Sequence, residues 1–155
     1  MKITVVGAGP LGKGGAALVE KAAKAALGPK AKAGGEVCVV FASDAQVHAL
    51  NKRFLSHDRE TDVISFNYPR PKKAAADSPF GDVYVSLGVA KRQAKVLGHP
   101  LLREAVTLAV HGTLHLVGYD DGKPKDKARM FKRQDALVAA LLPAPKANGK
   151  KKKGS

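Results

Sequence analysis

Residues 111–121 read His-Gly-Thr-Leu-His-Leu-Val-Gly-Tyr-Asp-Asp and hold most of the chemistry this chain can do. His111 and His115 stand four apart in an apolar run, so a helix projects both imidazoles from one face, about one turn apart. Gly118 offers that helix a place to stop, and the chain beyond it can fold back to bring Asp120 or Asp121 towards the two rings. Two imidazole nitrogens and one carboxylate oxygen make a tripod for a divalent metal with a fourth position left for water. That is the layout of a reactive centre, because a closed structural site uses a fourth protein ligand. A His-x-x-x-His spacing alone arises by chance in many helices; the glycine break and the acidic pair behind it raise this one to an expected metal site.

The elements that must position these residues follow from periodicity and caps. Lys2 to Val6 reads as a strand and Ala16 to Leu27 as a helix, with Glu36 to Phe41 a second strand. Ser43-Asp44 is an N-cap for a helix over Ala45 to Phe54, where Val47, Leu50 and Phe54 share a face. Val63 to Phe66 is a strand by content, and a loop rich in Pro, Lys and Ala spans Pro69 to Pro79. Asp82 to Leu87 alternates, with Val83, Val85 and Leu87 on one side. Helices are then expected from Gly88 to Leu97, from Leu101 through the histidines to Val117, and from Asp126 to Leu142, where Pro143 stops the last. Two strands adjoin in sequence, so the βα alternation is not strict. The expectation is one α/β (α+β) domain over residues 1–142, built on a small mixed sheet, followed by a basic disordered tail over 143–155.

Twenty-seven basic against thirteen acidic residues give a net charge of +14. Five of the lysines (Lys146 and Lys150 to Lys153) sit in the tail, which has no acid, and the remainder is still basic. Such a field attracts polyanions, of which nucleic acid is the commonest in a cytosol. With five Phe, three Tyr and no Trp, binding should rest on phosphates and shape and weaken with salt. Cys38 has no partner for an intrachain disulfide, which fits a reducing compartment, and it reads as a small buried apolar residue. No apolar stretch approaches the ~20 residues of a membrane span, and the start lacks a signal-peptide pattern. A soluble, cytoplasmic protein with no membrane contact is expected.

Gly7, Gly9 and Gly12 satisfy a dinucleotide fingerprint, and with Lys13 they nearly make a phosphate-binding loop. Gly14, however, stands where the magnesium-holding hydroxyl should be, and the acidic residue of a dinucleotide fold comes too late. No nucleotide cofactor is expected, and this stretch reads as a flexible connection.

From Glu36 to Leu142 the chain resembles the YbeY family of bacterial ribosomal-RNA maturation factors, metal-dependent endoribonucleases. The resemblance rests on collinear blocks: Leu50-Asn51, residues 61–66 (TDVISF), Gly81-Asp82-Val83, and residues 111–121 (HGTLHLVGYDD), with Met130 and Gln134 fitting the family's ending. It implies a zinc-dependent enzyme cutting single-stranded RNA in ribosomal-RNA maturation and ribosome quality control, with ribosomal RNA or the small subunit as partner. The family's metal motif has a third histidine where this chain has Asp121. The resemblance therefore implies His111, His115 and Asp121 as ligands to one Zn²⁺, the carboxylate replacing an imidazole. Asp120 is expected to accept a histidine N–H behind the metal or to serve as a turn residue. Many members carry an RNA-facing arginine where this chain has Leu55, and Arg53 or Arg59 is the expected substitute. No catalytic base can be named from the sequence. His48, His57 and His99 lack spacing partners and read as ordinary surface or core histidines. Two rivals follow. A metalloprotease would need a glutamate directly after the first histidine, where Gly112 stands. A non-catalytic RNA- or ribosome-binding factor would use the basic surface with a structural or absent metal.

Overall fold

Alternation along the strands decides which face each helix covers. In β2 (Glu36–Ala42) the side chains of Val37, Val39 and Phe41 are buried in the main core. Those of Val40 and Ala42 point the other way, into a smaller one. The computed structural model describes residues 1–55, 61–70 and 78–142. β1 (Lys2–Val6) and β4 (Pro79–Ser86) flank β2 in parallel, and β3 (Val63–Asn67) pairs antiparallel with β4. The order β1-β2-β4-β3 is a mixed sheet of four strands.

One face of the sheet carries α1 (Gly15–Leu27) and α4 (Leu101–Leu116), with α5 (Pro124–Leu141) packed against both helices. Ten of α4's sixteen residues are buried, which makes it the central helix. It lies very close to the strands. A Cβ on Gly112 would stand 2.5 Å from Val83 Cγ1 and 3.0 Å from Ser65 Oγ, and Ser65 Oγ donates to the Gly112 carbonyl at 2.8 Å. Only glycine permits that approach, and it fixes the height of α4 over the sheet.

The opposite face takes α2 (Asp44–Leu55), through Val47 packed on Ala42 and Ile64. Ser43 caps α2 reciprocally with Gln46: Gln46 N–H donates to Ser43 Oγ at 3.2 Å, and Ser43 N–H to Gln46 Oε1 at 3.0 Å. Asp44 is thereby released for another helix. α3 (Leu87–Leu97) has Ser86 at its N-cap, yet the Ser86 hydroxyl caps nothing in α3 and donates to Asp44. Asp44 Oδ1 in turn accepts the Val89 N–H at 3.1 Å, and Oδ2 meets Arg92 at 3.1 Å. Serine, backbone and arginine together hold the Asp44 carboxyl below its ordinary pKa, the Ser86 bond contributing most.

Three expectations are corrected. Leu87 opens α3 instead of closing β4, because Asp44 caps the chain there. β4 starts at Pro79, inside the expected loop; as the first strand residue, proline gives up no ladder N–H. The glycine-rich stretch is no free connection: it forms a 3₁₀ turn over Gly9–Leu11, with Gly12 and Gly14 at positive φ. Gly7, at φ +77°, lets the chain pass where a Cβ would lie 2.4 Å from the Phe41 carbonyl oxygen. Among the described residues no helix is long and apolar enough to cross a membrane.

Candidate metal centre

Core packing surrounds α4 on most sides and leaves His111 and His115 at its margin, their side chains 13% and 29% exposed. The helix ends in a Schellman motif: the Gly118 N–H donates to the His115 carbonyl at 3.1 Å, and the Tyr119 N–H to the Leu114 carbonyl at 3.0 Å. Gly118 sits at φ +101°, a left-handed conformation that glycine takes without strain. The reversal has two results. It lays the Tyr119 carbonyl 3.1 Å from His115 Nδ1, and it returns Asp121 to the imidazoles.

Asp121 Oδ2 lies 3.6 Å from His111 Nε2 and 3.5 Å from His115 Nε2, and the two Nε2 atoms are 3.2 Å apart. Behind His111, Nδ1 donates to Gln134 Oε1 of α5 at 2.7 Å. Both Nδ1 atoms therefore face oxygen acceptors, which sets both rings in the tautomer with the proton on Nδ1. Each Nε2 then presents a bare lone pair to the other and to a carboxylate oxygen. Three electron-rich atoms at this spacing repel one another unless a cation stands among them. Tetrahedral zinc, with bonds of about 2.0–2.2 Å, separates its ligand atoms by about 3.3–3.6 Å. The donor set fits such an ion in type and in spacing. Burial, above all, and the neighbouring His115 push His111 below the ordinary histidine pKa, which favours the neutral, ligating ring; Gln134, Asp121 and Asp62 act in the opposite sense.

A cleft of about 930 Å³ opens beside the centre, lined from α3, α4, α5 and the residue before β3, and His111, Asp121, Gln134 and Asp62 all face it. Asp62 holds Gln93 Nε2 at 3.3 Å. Phe131 stacks at a tilt on His111, ring centroids 5.6 Å apart, and Lys127 lies over Phe131.

The structure thus brings His111, His115 and Asp121 together. Asp120 turns the loop instead, its Oδ1 accepting the Gly122 N–H at 3.0 Å, while Gln134 and Tyr119 occupy the positions behind the rings. Arg53 lies on the exposed surface of α2, its guanidinium 5.1 Å over Phe54, in a separate groove of about 490 Å³ that shares no lining residue with the cleft. Arg59, His57, the Leu55 side chain and the lysine tail lie outside the described residues. Sequence reasoning missed Gln134 and Asp62 as site residues. For Gln134 a signal existed: a lone glutamine on the buried stripe of α5 shared with Met130, Leu137 and Val138.

The family model described as endoribonuclease YbeY matches residues 14–142. The chain belongs to the YbeY family. A YbeY endoribonuclease from Elusimicrobium minutum is 47% identical over 124 residues, covering 80% of this chain and 87% of that protein. Another from Chloroflexus aggregans is 41% identical over 133 residues, covering 81% and 87%. A solution structure of a Thermotoga maritima protein, 24% identical, aligns with a TM-score of 0.58 over 96% of this chain and 99% of its own, a likeness of fold. The YbeY match begins before α1, so it takes in a helix that lies ahead of the resemblance drawn from Glu36 onward. Nor does the site suit a peptidase of the His-Glu-x-x-His type: position 112, where the glutamate would stand, is pressed against Val83.

Proposed function

We propose that this chain is a zinc-dependent endoribonuclease that hydrolyses single-stranded RNA, acting in the cytoplasm on ribosomal RNA or the small subunit during rRNA maturation and ribosome quality control. One observation carries the reading: in a chain of the YbeY family, two imidazole Nε2 atoms and a carboxylate oxygen converge at 3.2–3.6 Å on the edge of a cleft. His111, His115 and Asp121 would hold one zinc ion. Bound there, zinc supplies Lewis acidity, lowering the pKa of coordinated water towards neutrality and polarising a phosphoryl oxygen. Gln134 and the Tyr119 carbonyl keep both rings in the ligating tautomer, and the buried side of α4 keeps them from turning away. The net charge of +14 supports a polyanionic substrate. Arg53 and Arg59 are the proposed backbone contacts, Arg53 from the α2 surface outside the cleft. Asp120 shapes the turn that delivers Asp121.

The test is metal content by elemental analysis of the untagged protein, followed by cleavage of a labelled ribosomal RNA fragment. One zinc per chain is expected, lost together with cleavage in His111→Ala and in Asp121→Ala. If both variants keep metal and cleavage, the centre is elsewhere. Salt-sensitive RNA binding that ignores chelator, without products, would identify a non-catalytic binding factor instead.

A further inference from the structure

Glu104 is 4% exposed, at the first turn of α4. A carboxylate that deep is costly unless it is bonded, and its partner is His99: Nε2 and Oε1 are 2.7 Å apart. His99 occupies the corner between α3 and α4, which is closely bonded. Gly98 closes α3 in a left-handed conformation, the His99 N–H donates to the Ala94 carbonyl at 3.0 Å, and Pro100 caps α4. The imidazole is nevertheless open, with 23% of its side chain exposed, and among the described residues nothing bonds its Nδ1. Both residues line the same cleft as His111, Gln134 and Asp121. Glu104 precedes His111 by seven residues, two turns and about 10 Å along one face of α4, so the dyad and His111 look out on the same side of that helix.

We propose that His99 is the general acid of the reaction, with Glu104 as its positioning residue. This rests on the hydrolase reading above. Water adds to phosphorus at the triad end, the bond from phosphorus to the leaving ribose oxygen breaks, and that oxygen takes its proton from the His99 ring. The proton released by the attacking water returns to solvent, and His99 is reprotonated from solvent between turnovers. Glu104 accepts from Nε2–H, so it fixes the ring plane and leaves Nδ1 as the nitrogen that carries the transferred proton. A dyad that served only to pin the corner would need neither the opening to the cleft nor a free second nitrogen.

The experiment compares RNA containing an ordinary scissile linkage with two versions bearing a bridging sulfur there, one at the 3′ and one at the 5′ position. A thiolate leaves without a proton, so loss of a general acid is repaired on one of the two. His99→Gln, zinc-loaded, should cleave ordinary RNA about 10²–10⁴-fold more slowly than wild type and one sulfur substrate at close to the wild-type rate. Glu104→Gln should show a smaller loss with the same recovery. The ratio between substrates is internal to each preparation, so a partly unfolded variant lowers both rates alike and leaves the ratio unchanged. Equal losses on all substrates, or no loss at all, would overturn the assignment while leaving the hydrolase reading intact. Wild-type protein that loads zinc and cleaves no RNA would remove the hydrolase reading and this assignment together.

Discussion

Replacing Gln134 by leucine isolates the hydrogen bond behind His111. The side chain is 5% exposed, and leucine fills nearly the same volume, so packing changes little. What disappears is the acceptor 2.7 Å from His111 Nδ1. Left with its proton on Nδ1, the ring would bury an unsatisfied N–H at a cost of about 1–3 kcal/mol. The metal-free ring escapes by moving the proton to Nε2, which then points at His115 Nε2 and Asp121 Oδ2, 3.2 and 3.6 Å away. That tautomer cannot ligate. The metal-free protein therefore loses little stability, and the cost appears when zinc binds, because binding forces the proton back to Nδ1. Supporting groups of this kind are worth about 10–100-fold in metal affinity, or about 1.4–2.7 kcal/mol at about 1.36 kcal/mol per decade. Competition with a chromophoric chelator measures the affinity, and thermal unfolding in excess EDTA measures the metal-free fold. Gln134→Glu retains an acceptor and should keep or strengthen zinc binding. Unchanged zinc affinity in Gln134→Leu would refute the reasoning, since it would mean that the tautomer is set elsewhere.

Gly112→Ala should destabilise the fold by about 1–3 kcal/mol through overpacking against Val83, lowering the melting temperature by about 2–4 °C for each kcal/mol; an unshifted melting curve would show that α4 can lift from the sheet freely. Asp44→Ala removes the acceptor of the Val89 N–H and should cost about 0.5–2 kcal/mol at pH 7. Because folding lowers the Asp44 pKa, its charged contribution is complete above the unfolded value near pH 4 and fades as pH falls through the folded value. Urea midpoints of wild type and Asp44→Ala should accordingly converge on acidification, and a gap that widens below pH 4 would contradict the linkage.

Local rules made much of the architecture legible. Strand alternation in Val37-Val39-Phe41, the Ser43 cap and the Gly118 stop each act within a few residues, and the sheet and the helix bearing the histidines follow from them. The illegible parts are those decided by distant partners. Gln134 reaches His111 across 23 positions, and no periodicity can tell a buried glutamine that supports a ring from one that merely fills space. Leu87 alternates as a strand residue should, but the end of β4 is set by a carboxylate more than 40 positions earlier. His99 is solitary by spacing because its partner, Glu104, is five residues on and across a helix start, a separation that belongs to no helical face. Arg53 recommends itself by its charge, and charge alone carries no information about which groove it borders.

The cap that Asp44 lends to α3 also bears on how this chain folds. A local cap can form in an otherwise unfolded chain, because cap and helix are neighbours; Asp44 and Val89 are 45 residues apart, and the loop between them must close first. The bond is therefore expected to form late, once α2 has docked on β3 and β4. Substitution of Asp44 should leave the refolding rate nearly unchanged and speed unfolding instead. The first turn of α3 should exchange its amide protons together with α2, opening as one cooperative unit. Since α3 supplies a wall of the cleft beside His111, that wall is tied through Asp44 to a helix on the opposite face of the sheet.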